Sequence, residues 1–140
     1  SLQHSYPMSA VSHDTPADPR GPLVVPGHYV VELTVGGQSY RQSLTVRRDP
    51  RETTPTSAFA AQLTLEQKIM AGMQGSDEAY QAATRHGDAS AAHEFAGLNG
   101  ALAGLAATID GADAAPTDAM VAAAHRKLEQ LASDRTTLKF

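Results

Sequence analysis

The sequence lacks cysteine and tryptophan, and aromatic residues make up only 5% of its 140 residues. Without cysteine the chain has no disulfides, no thiolate nucleophile and no cysteine-based zinc site. Sites that bind sugars or nucleobases usually stack them on exposed aromatic rings. The composition therefore disfavours a dedicated carbohydrate-binding or nucleic-acid-binding module.

Long apolar runs and excess positive charge are also missing. No window reaches the roughly 18 uninterrupted apolar residues that a transmembrane helix needs. The formal net charge is −4, from 15 acidic and 11 basic side chains, which gives no electrostatic reason to expect nucleic acid or an anionic membrane as a partner. The chain begins at Ser1 rather than at methionine, so we expect a further part of the protein upstream.

Two halves of the chain differ in composition. Most of the eight prolines lie before residue 51, whereas nearly all alanines follow Ser57. Residues 1–27 contain five prolines, at positions 7, 16, 19, 22 and 26, and each removes a backbone amide donor. We therefore expect neither a helix nor a central strand there. We expect instead an extended segment that runs across a surface that this chain does not supply. We predict two regions: residues 1–52, an extended proline-rich loop and a β-hairpin, and residues 53–140, an alanine-rich helical bundle.

A hairpin is the best-defined element of the first region. Every second residue of the first strand would face the same, buried side of the hairpin: Tyr29, Val31, Leu33 and Val35. The same period of two continues on a return strand, through Tyr40, Leu44 and Val46. Gly36-Gly37 supplies the positive φ angles of a tight turn between the strands. Because an isolated two-stranded hairpin is marginal in water, these strands need neighbours that cover them.

Three helices are predicted in the second region. Thr54 would cap the first, which would run from about Pro55 to Arg85 and fray near two internal glycines, with Gly87 ending it. Its apolar stripe would consist of Phe59, Leu63, Met70 and Met73, widened by Leu65, Ile69 and Tyr80.

The second helix has the clearest apolar spacing, through Phe95, Leu98, Leu102, Leu105 and Ile109. This stripe fits the seam of one bundle, and the alternative is a homodimer through the second helix. The third helix would start after Pro116 and stop near Ser133, leaving Thr136 to Phe140 to add a strand or to dock through Leu138 and Phe140. The predicted fold class is α+β, a β-hairpin or partial β-sandwich followed by an antiparallel three-helix bundle.

Several short runs carry a family resemblance: Tyr6 to Ala10, His13 to Pro16, Pro26-Gly27-His28-Tyr29, Gln42 to Val46, and Arg48-Asp49-Pro50-Arg51. Together with Gly97 to Gly100 and Asp110 to Thr117, they resemble the C-terminal region of large exported bacterial proteins with sortilin-like, BNR-repeat β-propellers, often labelled glycosyl hydrolases. The resemblance implies a small β-sandwich of fibronectin type III or FlgD-like character after the propeller, then a closing helical segment. It transfers no catalytic or ligand residue to this chain.

Candidate site residues are few. Six histidines, His4, His13, His28, His86, His93 and His125, lack the HxxxH or HExxH spacing that places two metal ligands on one helical face. A triad of His13 and Asp14 with Ser9 or Ser12 lacks a nucleophile elbow and an oxyanion loop. We therefore predict no catalytic residue, no metal site and no cofactor site.

The hairpin region contains few acids. Glu32 and Asp49 are too sparse for a glycosidase pair. Arg47, Arg48 and Arg51 surround Asp49 and could contact an anion, but a pair between Asp49 and a neighbouring arginine is the favoured interpretation.

Three functional hypotheses follow. The leading one is a non-catalytic structural or interaction module at the C-terminus of an exported sortilin-like propeller protein, located outside the cell or in the cell envelope. Its partner would be the upstream propeller of the same protein or another subunit. The alternatives are a segment of a glycoside hydrolase whose catalytic residues lie upstream, and a free-standing small helical protein that binds a partner.

Overall fold

A computed structural model describes residues 3–5, 20–112 and 114–138. Four strands precede three helices: β1 Gln3–Ser5, β2 Arg20–Leu23, β3 Gly27–Val35, β4 Gln38–Val46, α1 Thr56–His86, α2 Ala89–Asp110 and α3 Asp118–Thr137. The predicted class, α+β with a hairpin followed by a helical bundle, is confirmed. The division at residues 52 and 53 stays a prediction.

The predicted hairpin is confirmed in detail. β3 and β4 pair antiparallel without a bulge, from Gly27 opposite Val46 to Val35 opposite Gln38. Gly36 and Gly37 close the turn with φ angles of 57° and 80°, in the left-handed region that residues with a Cβ adopt at a cost.

The start of the chain differs from the prediction. β1 and β2 form a second antiparallel pair, and β2 contacts α1 and α2. Gly21 and Pro22 are buried there. Both strands of this pair are edge strands, which tolerate proline. The expectation that this segment crosses a surface foreign to the chain is wrong for β2, because its own helices cover it.

The helices pack in an up-down-up order. Only Gly87 and Asp88 separate α1 from α2, and Gly87 takes a left-handed φ of 75° that ends α1. Asp88 then caps α2 by accepting a hydrogen bond from the amide of Ala91 at 3.0 Å. Thr117 caps α3 in the same way. The predicted cap at Thr54 is wrong, because Pro55 occupies that position and has no polar side chain.

Two predictions about the helices need correction, the fraying of α1 and the end of α3. α1 runs through Gly72 and Gly75 without a break, because both glycines are contact points for α3 rather than sites of fraying. α3 continues beyond Ser133 to Thr137, so Thr136 is helical and not part of a strand. Leu138 docks on the bundle as predicted, whereas Phe140 lies outside the described residues.

The core lies between the three helices. Its centre is a cluster of buried side chains from all three helices: Leu65, Ile69, Met73, Leu102, Ala103, Ile109 and Ala124. A second cluster consists of Ala79, Phe95, Leu98 and Leu131. The predicted seam of α2 is therefore confirmed, with Leu105 only partly buried. Because this seam is already packed within one chain, a homodimer through α2, which stays a prediction, would have to use other residues.

The buried face of α1 is rotated from the predicted stripe. Phe59, Leu63 and Met70 are only partly buried, whereas Gln62, Glu66 and Ser76 lie inside. α2 and α3 together determine which side of α1 faces inward. The predicted stripe was partly wrong because α1 has apolar residues on several sides, so the sequence does not single out the one that is buried.

Candidate functional site

The two faces of the β3–β4 hairpin differ in chemistry. The register places on one side the set that we call the apolar face: Tyr29, Val31, Leu33, Val35, Tyr40, Leu44 and Val46, with the uncharged amides Gln38 and Gln42. The opposite side, the polar face, consists of His28, Val30, Glu32, Thr34, Ser39, Arg41, Ser43 and Thr45. No charged side chain lies on the apolar face.

Polar groups on the polar face are paired across the strands. His28 Nδ1 lies 3.1 Å from Thr45 Oγ1, and Thr34 Oγ1 lies 3.0 Å from Ser39 Oγ. Arg41 Nε donates to Glu32 Oε2 at 3.1 Å. Three of the four directly opposed pairs thus interact, as expected of an antiparallel face that meets solvent.

The apolar face has no covering layer among the described residues. Val31 is 48% exposed, Leu33 60%, Val35 59% and Tyr40 58%. In the described part of the chain, no Cα of β3 or β4 lies within 8 Å of a helix or of β1 or β2. Only the base is partly buried, where the Tyr29 hydroxyl donates to the Val25 carbonyl at 2.5 Å. The hairpin therefore projects from the bundle with its apolar side open.

An open cleft lies between the base of the hairpin and the start of α1. Its volume is about 380 Å³, and apolar walls come from Leu23, Val25, Pro26, Val46, Phe59 and Leu63. Arg47, Arg48, Asp49 and Glu52 also line it, and Gln62 and Glu66 of α1 provide its other polar groups. The cleft thus combines an apolar surface with a buried carboxyl group.

Glu66 is the most unusual of these groups, since its residue is only 3% exposed. Gln62 Nε2 donates to Glu66 Oε1 at 3.3 Å and, at 2.8 Å, to the Ile109 carbonyl at the end of α2. Burial raises the pKa of Glu66 to about 7; the Gln62 hydrogen bond opposes the rise and the nearby charge of Asp110 adds to it. Asp110 Oδ1 is itself buried, with no hydrogen-bond partner among the described residues.

A second buried polar contact joins α1 to α2. Asn99 Nδ2 donates to the Met73 carbonyl and to Ser76 Oγ, both at 2.9 Å. Ser76 in turn donates to the Met73 carbonyl at 2.8 Å. These groups satisfy one another and do not line the cleft described above, so their role is to fix the helix pair.

The predicted pairing of Asp49 with a neighbouring arginine is confirmed. Arg51 Nη2 and Nε reach the two Asp49 oxygens at 2.8 and 3.1 Å. Arg51 lowers the pKa of Asp49 through this contact. Arg48 donates to the Glu52 carbonyl, so the joint between β4 and α1 is held by local bonds. Glu32, the other acid considered, is paired with Arg41 and lies far along the hairpin.

The candidate histidines do not come together. His28 is on the hairpin, whereas His86, His93 and His125 are exposed on the helices. Across the described ranges no three metal-ligating side chains are grouped. The side chains of His4, His13, Asp14, Ser9 and Ser12 lie outside the described residues, so the predictions about them stay predictions.

Sequence reasoning missed Gln62, Glu66 and Asp110. Gln62 and Glu66 are four residues apart, and Ile69 and Met73 continue the same helical face. A polar pair on the same helical face as core residues was the sequence signal that could have indicated buried polar groups at positions 62 and 66.

Comparison of the chain with family models, with curated proteins and with solved structures finds no match. No helix in the described part of the chain has the length and hydropathy to cross a bilayer. The resemblance to exported sortilin-like propeller proteins therefore stays a prediction from the sequence.

Proposed function

We propose that this chain is a non-catalytic structural and interaction module of an exported sortilin-like propeller protein, in which the β3–β4 hairpin completes a β-sandwich. The occupant of the apolar face would be a sheet of that sandwich, from the same protein or from another subunit. The proposal is supported by two observations, the sequence resemblance and the open apolar face of the hairpin.

The observation that carries the proposal is the contrast between the two hairpin faces. The polar face pairs its own hydrogen-bonding groups, as a solvent-facing sheet surface does, whereas the apolar face is uncharged and uncovered. In β-sandwiches the inner faces are apolar and the outer faces polar, with the alternation seen here. A charged or nucleic-acid partner would not match a surface without charges.

The free strand edges add to this argument. In a hairpin closed by a two-residue turn, the pair that flanks the turn exchanges hydrogen bonds, and every second pair does so. The amides of Val30, Glu32 and Thr34 on β3 therefore point outward, as do those of Ser39 and Arg41 on β4. Such amides can pair with a neighbouring strand.

Amide hydrogen exchange tests the proposal. The longest open reading frame that contains this chain would be expressed and compared with the 140-residue protein. We expect the outward amides of β3 or of β4 to exchange at least about 100-fold more slowly in the long protein, because a neighbouring strand accepts their hydrogen bonds. Val31→Lys, on the apolar face, should remove this protection, whereas Val30→Lys, on the polar face, should preserve it.

Three results would contradict the proposal. The first is equal exchange of these amides in both proteins, and the second is a reading frame that encodes no strands upstream. The third is glycoside turnover by the purified 140-residue protein that is lost in Glu32→Gln or Asp49→Asn. The third result would place catalytic residues in this chain itself.

A further inference from the structure

The cleft beside α1 contains a carboxyl group without a cationic partner. Glu66 is 3% exposed, and its only hydrogen bond among the described residues comes from the neutral amide of Gln62. None of the ion pairs formed by described residues includes Glu66 or Asp110. A buried carboxylate without a cation is strongly disfavoured unless it is protonated or paired.

The charges at the rim of the cleft do not fill this role. Arg47 and Arg48 line it together with Asp49 and Glu52, so two basic groups are balanced by two acidic groups. Arg48 donates to the Glu52 carbonyl, and Asp49 is held by Arg51. Glu66, reinforced by Asp110 behind it, is therefore the group whose charge is uncompensated.

We infer that this cleft binds an alkylammonium group, whose hydrocarbon stem lies along Phe59, Leu63 and Val46 and whose ammonium pairs with Glu66. The volume of about 380 Å³ is near the lower end of ligand pockets, which suits a small amine or a lysine side chain. A divalent metal fits less well, since the described residues offer no group of three ligands and the walls are apolar. This site shares only Val46, at the base of the hairpin, with the apolar face, and it does not depend on the proposed function of that face.

Binding of two matched probes tests the site. n-Hexylammonium and neutral n-hexanol share the hydrocarbon stem and differ in charge, and each is titrated near pH 8, where Glu66 is ionised. We expect saturable shifts in the NMR signals of Glu66 and Leu63, with hexylammonium binding at least about 10-fold more tightly than hexanol. Nα-acetyl-lysine methylamide is titrated in parallel. Tighter binding of this probe identifies a lysine of a protein partner as the source, and tighter binding of hexylammonium identifies a free amine.

Two variants assign the binding to its residues. Glu66→Gln, which is nearly isosteric, should lower the affinity for hexylammonium at least about 10-fold and leave that for hexanol unchanged. Glu94→Gln, at an exposed position of α2, should bind like the wild type. Far-UV circular dichroism checks that the helices persist. If Glu66→Gln does not fold, the wild type decides: its affinity for hexylammonium should fall as the pH is lowered below about 7.

Four outcomes would overturn the inference. Three are no saturable binding of either amine, equal affinity for hexanol and hexylammonium, and calcium binding in place of the amines. The fourth is an affinity for hexylammonium that is the same in Glu66→Gln and in the wild type.

Discussion

Glu66 illustrates how one side chain can make the stability of this protein depend on pH. The unfolded carboxyl has an ordinary pKa of 4.5, whereas burial raises the pKa in the folded protein to about 7. The folded state therefore binds a proton more tightly than the unfolded state between these values. Burial favours protonated Glu66, and the ionised form is present in the folded protein only at a free-energy cost.

Replacement of Glu66 by glutamine should flatten the pH profile of stability. Between pH 4.5 and about 7 the unfolded chain has lost this proton and the folded chain keeps it, so the free energy of unfolding falls as the pH rises. The slope from this group is at most about 1.4 kcal/mol per pH unit. Urea denaturation of the wild type and of Glu66→Gln across this range measures the difference.

Glu94→Gln is the matched control, because its carboxyl is exposed on α2. It should keep the wild-type profile. Parallel profiles for the wild type and Glu66→Gln would contradict the assignment of the raised pKa to Glu66.

Among elements, the contact between α1 and α3 depends on glycine. A Cβ at Gly72 would overlap Leu128 Cδ2 and lie 3.2 Å from Leu102 Cδ1. At Gly75 it would lie 2.7 Å from Arg135 Nη1, and that arginine also reaches Glu78 at 3.5 Å. Gly104 on α2 has no such neighbour within 4 Å. Gly72 and Gly104 thus have opposite environments, crowded at Gly72 and open at Gly104.

Alanine at these two positions should change stability in opposite directions. Gly104→Ala removes the entropic cost of glycine and should raise the free energy of unfolding by about 1 kcal/mol. Gly72→Ala gains the same propensity but forces α3 or Leu128 to move, and should lower it by about 1–2 kcal/mol. Chemical denaturation of both variants measures the two changes. A stabilised Gly72→Ala protein would show that α3 does not pack closely at this position.

The hairpin is the element that local sequence predicts best. Its alternation and its Gly36-Gly37 turn depend on residues close in sequence, and β3 and β4 match the prediction within a residue. The caps are less predictable. Asp88 and Thr117 cap α2 and α3 without having been predicted to, whereas the cap position of α1 falls on Pro55 and not on Thr54 as predicted. A cap depends on where the chain turns, which neighbouring elements decide.

At the scale of the molecule, the described residues couple the helical bundle to the projecting hairpin only at the hairpin base. The described residues of β3 and β4 make no close Cα approach to a helix, and the apolar face exposes Leu33 and Val35. An exposed, flat apolar strand pair is a surface on which chains associate.

The isolated chain should therefore self-associate through the hairpin. We expect the molar mass from light scattering to rise with protein concentration, and Leu33→Lys to suppress the rise because it places charge on the apolar face. Both Leu33→Lys and the control Thr34→Lys, on the polar face, should leave the stability of the helices within about 0.5 kcal/mol of the wild type.

Thr34→Lys should still associate like the wild type. Association that Leu33→Lys does not reduce would locate the contact elsewhere, and a loss of helix stability in Leu33→Lys would show that the hairpin packs on the bundle.

The sequence by itself determined the order of the hairpin and the three helices, the hairpin register and the seam of α2, because each depends on a repeat period and on turn residues near in the chain. Only the tertiary structure decided which side of α1 is buried, that Glu66 lies on that side, and that no described residue covers the apolar face of the hairpin. α1 carries small and apolar residues on several sides, so its local pattern is compatible with more than one inward face. The packing of α2 and α3 selects one of them, and that selection is a sum of contacts between residues distant in sequence.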